Sequence, residues 1–363
     1  MSQTTFLIGY GDERSSGRGI YQVHVEPNKI SVSLVFACQE KPGGLIQLDN
    51  QLFLSFQGND QAGIYRFDLN KPAPFQEPER FVLPFFITAW SRGLTPKTLL
   101  GSSFYDGVDV LLNVAEIPVI TQSVSHAYRP RSEDKRQTSP HPHHLCFFPG
   151  KQLVCSVDMG IDSVSLLSVT EHSLSVLDEK LIDAPLGDGP RILRIRSDGH
   201  FAYLLNEISN SVCVFSVKMK DGDTRAEFQE IQRLSVIENT AVNNSPAACV
   251  LSSDERYLIV SNRGENTLVL YTVDFRTGFL TEQHRVATAA MPRDILIMDT
   301  SVIVAAQSAN SVQLFSLDTD RHQLHLCSAV DGVQSPVAFM MTAREVVELN
   351  TNTKHGSDPE TFG

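Results

Sequence analysis

Seven times along the chain the same short phrase returns: a small residue or glycine, an alternating apolar run of three to five residues, then a polar turn. The openings are GIYQV at Gly19, GIYRF at Gly63, GVDVL at Gly107, SVSLL at Ser163, SVCVF at Ser211, TLVLY at Thr267 and SVQLF at Ser311, spaced 44, 44, 56, 48, 56 and 44 residues apart. A period of that length corresponds to one four-stranded antiparallel blade of a β-propeller. Seven copies therefore predict an all-β, seven-bladed β-propeller. Strand chemistry agrees, because Val, Ile, Leu, Phe and Tyr alternate with polar residues and Asp-Gly, Ser-Asp and Asn-Ser punctuate the runs. The unit is fullest in GPRILRIRSDGHFAYLLNEISNSVCVFSV from Gly189, which reads as strand, turn, strand, polar loop, strand.

The two ends complete each other. FLIGY and GIYQV near the N-terminus read as outer strands lacking an inner one, and SPVAFMM near the C-terminus reads as an innermost strand lacking outer partners. Pairing them in one blade removes both loose edges and closes the ring. Residues 1–350 are expected to form this single domain, followed by a flexible tail at 351–363. Blade boundaries are hard to set between residues 40 and 130, where Pro72, Pro74, Pro78, Pro84 and Pro96 interrupt the pattern.

Composition narrows the partners. A formal charge of −12 argues against nucleic acid and anionic membrane, while leaving room for a local basic patch that binds a small anion. No apolar run approaches the length of a membrane span, and the opening MSQTTFLIGYGDERSSGRG lacks a basic segment followed by an apolar core, so a cytoplasmic protein is expected. The cysteines Cys38, Cys146, Cys155, Cys213, Cys249 and Cys327 form no CxxC pair and are read as reduced thiols. No cofactor is implied, and oligomeric state is open.

Candidate chemistry follows from blade geometry. The innermost strand and its neighbour are antiparallel, so the start of one and the end of the other emerge on the same face of the disc. His141, His143 and His144 in SPHPHHL, Arg191 in GPRIL and Arg293 in MPRDI stand at starts of innermost strands; Asp158 in SVDMG, Glu207 in LLNEIS and Arg263 in VSNRGEN stand at ends of second strands. Together they predict a cationic cup at one mouth of the channel, suited to a small anionic molecule. Blander readings stay open: arginines near the axis can tie blades together, and Glu207 can simply be the salt partner of Arg191 or Arg263. The HxHH sequence finds no matching ligand at that face in another blade, so metal is not expected. By strand alternation His144 should point away from His143.

At these residues the chain resembles the lactonase family of seven-bladed propellers, which includes bacterial 6-phosphogluconolactonases of the propeller type and fungal carboxy-muconate lactonising enzymes. The resemblance is sharpest from about residue 139 to 317, reappears at GIYQVHV and is weak from about 40 to 130. The family's PHxH motif falls on His141 and His143, GPR on Arg191, NE on Glu207 and SNRG on Arg263, while its FPR reads MPR here and retains Arg293. The resemblance implies a lactone hydrolase acting on a phosphorylated or carboxylated lactone. In it, His143 is the base with a pH limb near 6 to 7, Glu207 orients it or the water, and Arg191 and Arg263 bind anionic groups. His141, Arg293 and Asp158 are assigned to substrate binding. A carboxy-muconate cycloisomerase could use the same residues, and a non-catalytic scaffold or metabolite-binding propeller is the alternative of another class.

Overall fold

The structure, a computed structural model, describes residues 2–12, 16–128, 134–220 and 225–340. The expected domain end at 350 and the tail at 351–363 lie outside these residues. Among them, seven four-stranded antiparallel sheets account for every strand, and the one helix is a 3-10 turn at Lys135–Gln137. Six innermost strands are Lys41–Leu48, Ala89–Arg92, Pro142–Phe147, Pro190–Ile195, Ser245–Leu251 and Pro292–Met298, and Pro336–Phe339 is the seventh.

The seven repeated phrases are the third strands of the seven blades, such as Ser163–Val169, Ser211–Lys220, Thr267–Val273 and Ser311–Asp318. In these four, the preceding residue adopts a left-handed backbone: Asp162, Asn210, Asn266 and Asn310 have φ between 50° and 57°. Asn and Asp tolerate that region better than other side chains. The small residue that opens each phrase thus follows a turn residue that reverses the chain. Between 40 and 130 two complete sheets are present, and the prolines that obscured them sit in connections: Pro72, Pro74 and Pro78 precede the fourth strand Glu79–Leu83, Pro84 follows it, and Pro96 lies between Ala89–Arg92 and Thr98–Ser103.

The ring closes as the ends require. Pro336–Phe339 pairs with Gln3–Tyr10, with Leu7 opposite Phe339, and Arg18–Glu26 and Lys29–Ala37 complete that blade. Buried side chains divide into seven clusters, each shared by two neighbouring blades. Leu7 packs with Ile303 and Leu314 of one neighbour, while Ile8 packs with Leu45 and Leu52 of the other. Successive strand residues face opposite sides, so Gln3–Tyr10 clamps two blade interfaces at once. None of the six cysteines is in a disulfide. Among the described residues no helix is long and apolar enough to cross a membrane.

Candidate active site

Six of the seven innermost strands have a proline at or next to their start, and the ladder slips by one residue directly after it. Pro142 faces Asp158 and His144 faces Val157, leaving His143 opposite nothing; Arg191 after Pro190 and Arg293 after Pro292 are skipped in the same way. The slips after Pro42, Pro246 and Pro336 take in Gly43, Ala247 and Val337. Proline cannot donate to a ladder, and a bulge frees one residue from pairing and re-aims its side chain. These six bulge residues line one axial cavity of about 210 Å³, so a repeated backbone irregularity builds the layer of side chains at its wall.

His143 is the titratable bulge residue. Its ring meets Phe104 edge-on at 5.8 Å between centroids, and among the described residues no other residue hydrogen-bonds to it. Burial, followed by the nearby charges of Arg191, Arg293 and His144, holds its pKa well below the ordinary histidine value. It is therefore a neutral imidazole across the neutral range, and the limb expected near pH 6 to 7 moves lower. His144 does not point away as alternation suggested. The bulge resets the alternation, and His144 also lines the cavity, its Nδ1 without a partner and its Nε2 3.4 Å from Arg194 Nη1.

Glu207 and the arginines form one buried ion cluster. Glu207 Oε2 accepts from Arg191 Nη1 and lies 2.9 Å from Arg263 Nη2, while Oε1 is 3.8 Å from Arg136 Nη1. Both buried arginines are anchored to backbone: Arg191 Nε donates to Ala247 O at 2.8 Å and Arg263 Nε to Ser245 O at 2.9 Å. Burial opposes the charge on Glu207, yet Arg191 and Arg263 hold its carboxyl below the usual carboxylate range. Burial also pushes Arg191 and Arg263 down, with Glu207 opposing. An arginine stays protonated in a protein, so two positive charges face the one carboxylate of Glu207 here, and burial is the main cost they bear. Among the described residues Glu207 makes no hydrogen bond to His143 and sits among three arginines instead, which leaves the water as what it could orient.

His141 and Asp158 serve the framework instead of the cavity wall. The His141 ring stacks on Phe104 at 4.2 Å, with Nδ1 2.8 Å from Phe104 O and Nε2 3.3 Å from Ser139 Oγ. Asp158 Oδ1 accepts from the backbone N–H of His141 at 2.7 Å and of Gly160 at 2.8 Å. Its Oδ2 is 2.8 Å from His126 Nδ1, whose Nε2 is 2.8 Å from Asp109 Oδ2. Burial disfavours the imidazolium, but Asp109 and Asp158 outweigh it and raise the His126 pKa to about 10. These two carboxylates and one imidazolium tie the blade of Asp109 to the blade that carries His143. Both residues were expected to bind substrate, and both have their polar atoms committed within the protein.

Sequence reasoning missed several residues at the site. Asp294, next to the bulge Arg293, lines the cavity; burial raises its carboxyl to about 6 although the backbone N–H groups of Phe339 and Ile295 donate to it. Arg194 and Tyr10 line the same cavity. Arg136 comes from the 3-10 turn Lys135–Gln137. The recurrent Pro-x pair was the available signal for the wall, and nothing local marked Tyr10 or Arg136. Among the described residues no group of three or more metal-ligating side chains converges.

The family model described as lactonase, 7-bladed beta-propeller, matches residues 5–341. A 6-phosphogluconolactonase of Bacillus subtilis is 28% identical over 244 residues, which cover 66% of this chain and 68% of that protein. Among solved structures, a protein from Lactobacillus plantarum superposes with a TM-score of 0.82 at 22% identity, covering 93% of this chain and 99% of its own. The periplasmic gluconolactonase of Pseudomonas aeruginosa does so with a TM-score of 0.78 at 24% identity, covering 93% and 98%. At those identities the structural likeness speaks for the fold.

Proposed function

We propose, for a chain that belongs to the seven-bladed β-propeller lactonase family, that the axial cavity hydrolyses an anionic sugar lactone, 6-phosphogluconolactone being the first candidate. The observation that carries this reading is His143: a neutral imidazole hydrogen-bonded to no other described residue, on the wall that also presents Arg191 and Arg293. Water attacks the lactone carbonyl while His143 accepts its proton. The carbonyl electrons move onto oxygen, and the tetrahedral oxyanion is stabilised by the positive charge of Arg191 and Arg263, which Glu207 only half balances. Collapse breaks the ring C–O bond, and the imidazolium returns the proton to the departing alkoxide, giving the hydroxy acid. A positioned base contributes roughly 10²–10⁴ in rate. Removal of one oxyanion donor costs about 3 to 4 kcal/mol elsewhere. Fixed cations at the wall and a base that stays neutral are what such a reaction needs.

The test is hydrolysis of freshly generated 6-phosphogluconolactone, corrected for spontaneous opening, by wild type and His143→Asn. Turnover should fall by about 10²–10⁴ in the variant with ligand affinity nearly retained. Because burial and Arg191 depress the His143 pKa, the base is competent at every pH above its lowered value, and wild-type activity should already be level at pH 6.5. A limb still rising between pH 6.5 and 7.5, or turnover that survives the substitution, would assign the base elsewhere. Turnover of carboxy-muconate in place of any lactone would instead favour the cycloisomerase.

A further inference from the structure

Positive charge around the mouth is unevenly compensated. Arg191 and Arg263 share Glu207, and Arg136 is paired with Asp134. Two further cations stand on the same rim with no carboxylate within ion-pair distance among the described residues. Arg293 Nη1 donates to Gln307 Oε1 at 3.2 Å, and Lys41 Nζ donates to Tyr105 Oη at 3.3 Å. Both are drawn to one aromatic ring: Lys41 Nζ lies 5.4 Å, and Arg293 Cζ 5.8 Å, from the centroid of Tyr10. Lys41 Nζ is also 5.3 Å from the Tyr105 ring. A ring quadrupole attracts a cation but does not neutralise it. Two like charges held by one ring therefore leave a positive potential that an anion would relieve.

Backbone geometry connects this pair to the cavity. Arg293 is a bulge residue on the wall, and Lys41 immediately precedes Pro42 and the bulge that follows it. Tyr10, between them, lines the cavity with Arg293 and His143. On the far side of Tyr105, Phe104 touches that ring at 5.3 Å and His143 at 5.8 Å. Base, aromatic lip and unpaired cations are thus one continuous rim.

We propose that Lys41 and Arg293, with Tyr10 between them, form the subsite for a phosphate monoester on the substrate, while its lactone carbonyl faces His143 and Arg191. The inference rests on the lactonase reading and narrows it to phosphorylated lactones. Charge arithmetic assigns the anions. Arg191, Arg263 and Glu207 leave about one positive charge, which suits the single charge of a developing oxyanion. Arg194 and the Asp294 carboxylate on the same wall offset each other, and Lys41 and Arg293 leave two, which suits a phosphate monoester of about −1.5 to −2.

The experiment compares wild type, Lys41→Met and Lys41→Arg on 6-phosphogluconolactone and on unphosphorylated glucono-δ-lactone, with inorganic phosphate as a competing probe. Lys41→Met should lower the kcat/KM preference for the phosphorylated lactone at least tenfold, mostly through KM, and weaken inhibition by inorganic phosphate by a similar factor. Lys41→Arg should restore much of both. An unchanged preference, or an equal loss on both lactones, overturns the subsite while leaving the lactonase reading in place. If wild type hydrolyses neither lactone the activity reading fails, and phosphate-induced thermal stabilisation, present in wild type and lost in Lys41→Met, still decides the subsite.

Discussion

Glu207 separates a charge anchor from a chemical participant, and replacing it with Gln tests which it is. Its Oε2 touches the guanidinium groups of Arg191 and Arg263, and its side chain is 9% exposed. Removing one partner of a buried ion pair costs about 3–5 kcal/mol because the other charge stays buried. Gln keeps an oxygen that can accept from Arg191, and a hydrogen bond of that kind returns about 1 kcal/mol. The net expected loss is about 2–4 kcal/mol, or on the order of 3–5 °C in Tm for a chain of this size. Anion affinity should move the other way. Coulomb's law at an effective dielectric of about 20 gives roughly 3 kcal/mol for unit charges about 5 Å apart. Rearrangement of the freed arginines absorbs much of that, leaving about 1 kcal/mol, close to a fivefold tighter Kd for a product anion.

The sign of the pH dependence follows from the depressed Glu207 pKa. A carboxylate held below its unfolded value stabilises the fold above about pH 4.3, and that contribution is lost as pH falls through the lower folded value. The stability gap between wild type and Glu207→Gln should therefore be full at pH 7 and close in acid. Urea denaturation at several pH values and calorimetric titration with 6-phosphogluconate read both quantities. A variant with unchanged midpoint and unchanged anion affinity but turnover reduced a hundredfold would refute the anchor and make Glu207 a chemical group.

Three other perturbations address the frame. Leu7→Ala opens a cavity at a side chain that is 0% exposed between the closing blade and its neighbour; it should cost about 2–5 kcal/mol, and deletion of residues 1–25, which removes Ile8, Ile20 and Tyr21 as well, should prevent cooperative folding. An unchanged urea midpoint in the deletion would mean that the ring does not depend on its closing strands. His126, raised to about 10 between Asp109 and Asp158, stabilises the fold fully below its unfolded value of about 6.5, and this contribution should fade as pH rises from there to about 10. Denaturation midpoints should drop over that window in wild type and stay flatter in His126→Gln; parallel profiles would show that the imidazolium is not what joins these blades.

Legibility differed between fold and site for a physical reason. A blade is a local unit, so its strands, its Asn-Ser and Asp-Ser turns and its period are written within about fifty consecutive residues, and the missing halves at the two ends imply their own partner. The cavity wall is local too. Proline fixes where the ladder slips, and the residue after it, whether His143, Arg191 or Arg293, is the one released toward the axis. What alternation alone could not give was His144, because the slip that frees His143 reverses the parity of everything after it. Pairings among wall residues depend on which blades meet. Glu207 closes on Arg191 within its own blade, but its contacts with Arg263 and Arg136 arise from separate strands and a loop. Asp158 and His141 were correctly placed on the mouth side by strand direction, yet strand direction says nothing of the neighbour that occupies a side chain. His126 belongs to no repeated phrase, and it is the group that takes up the free oxygen of Asp158. Position along a repeat therefore locates a polar side chain on the disc, while its availability for chemistry is decided by the adjacent blade.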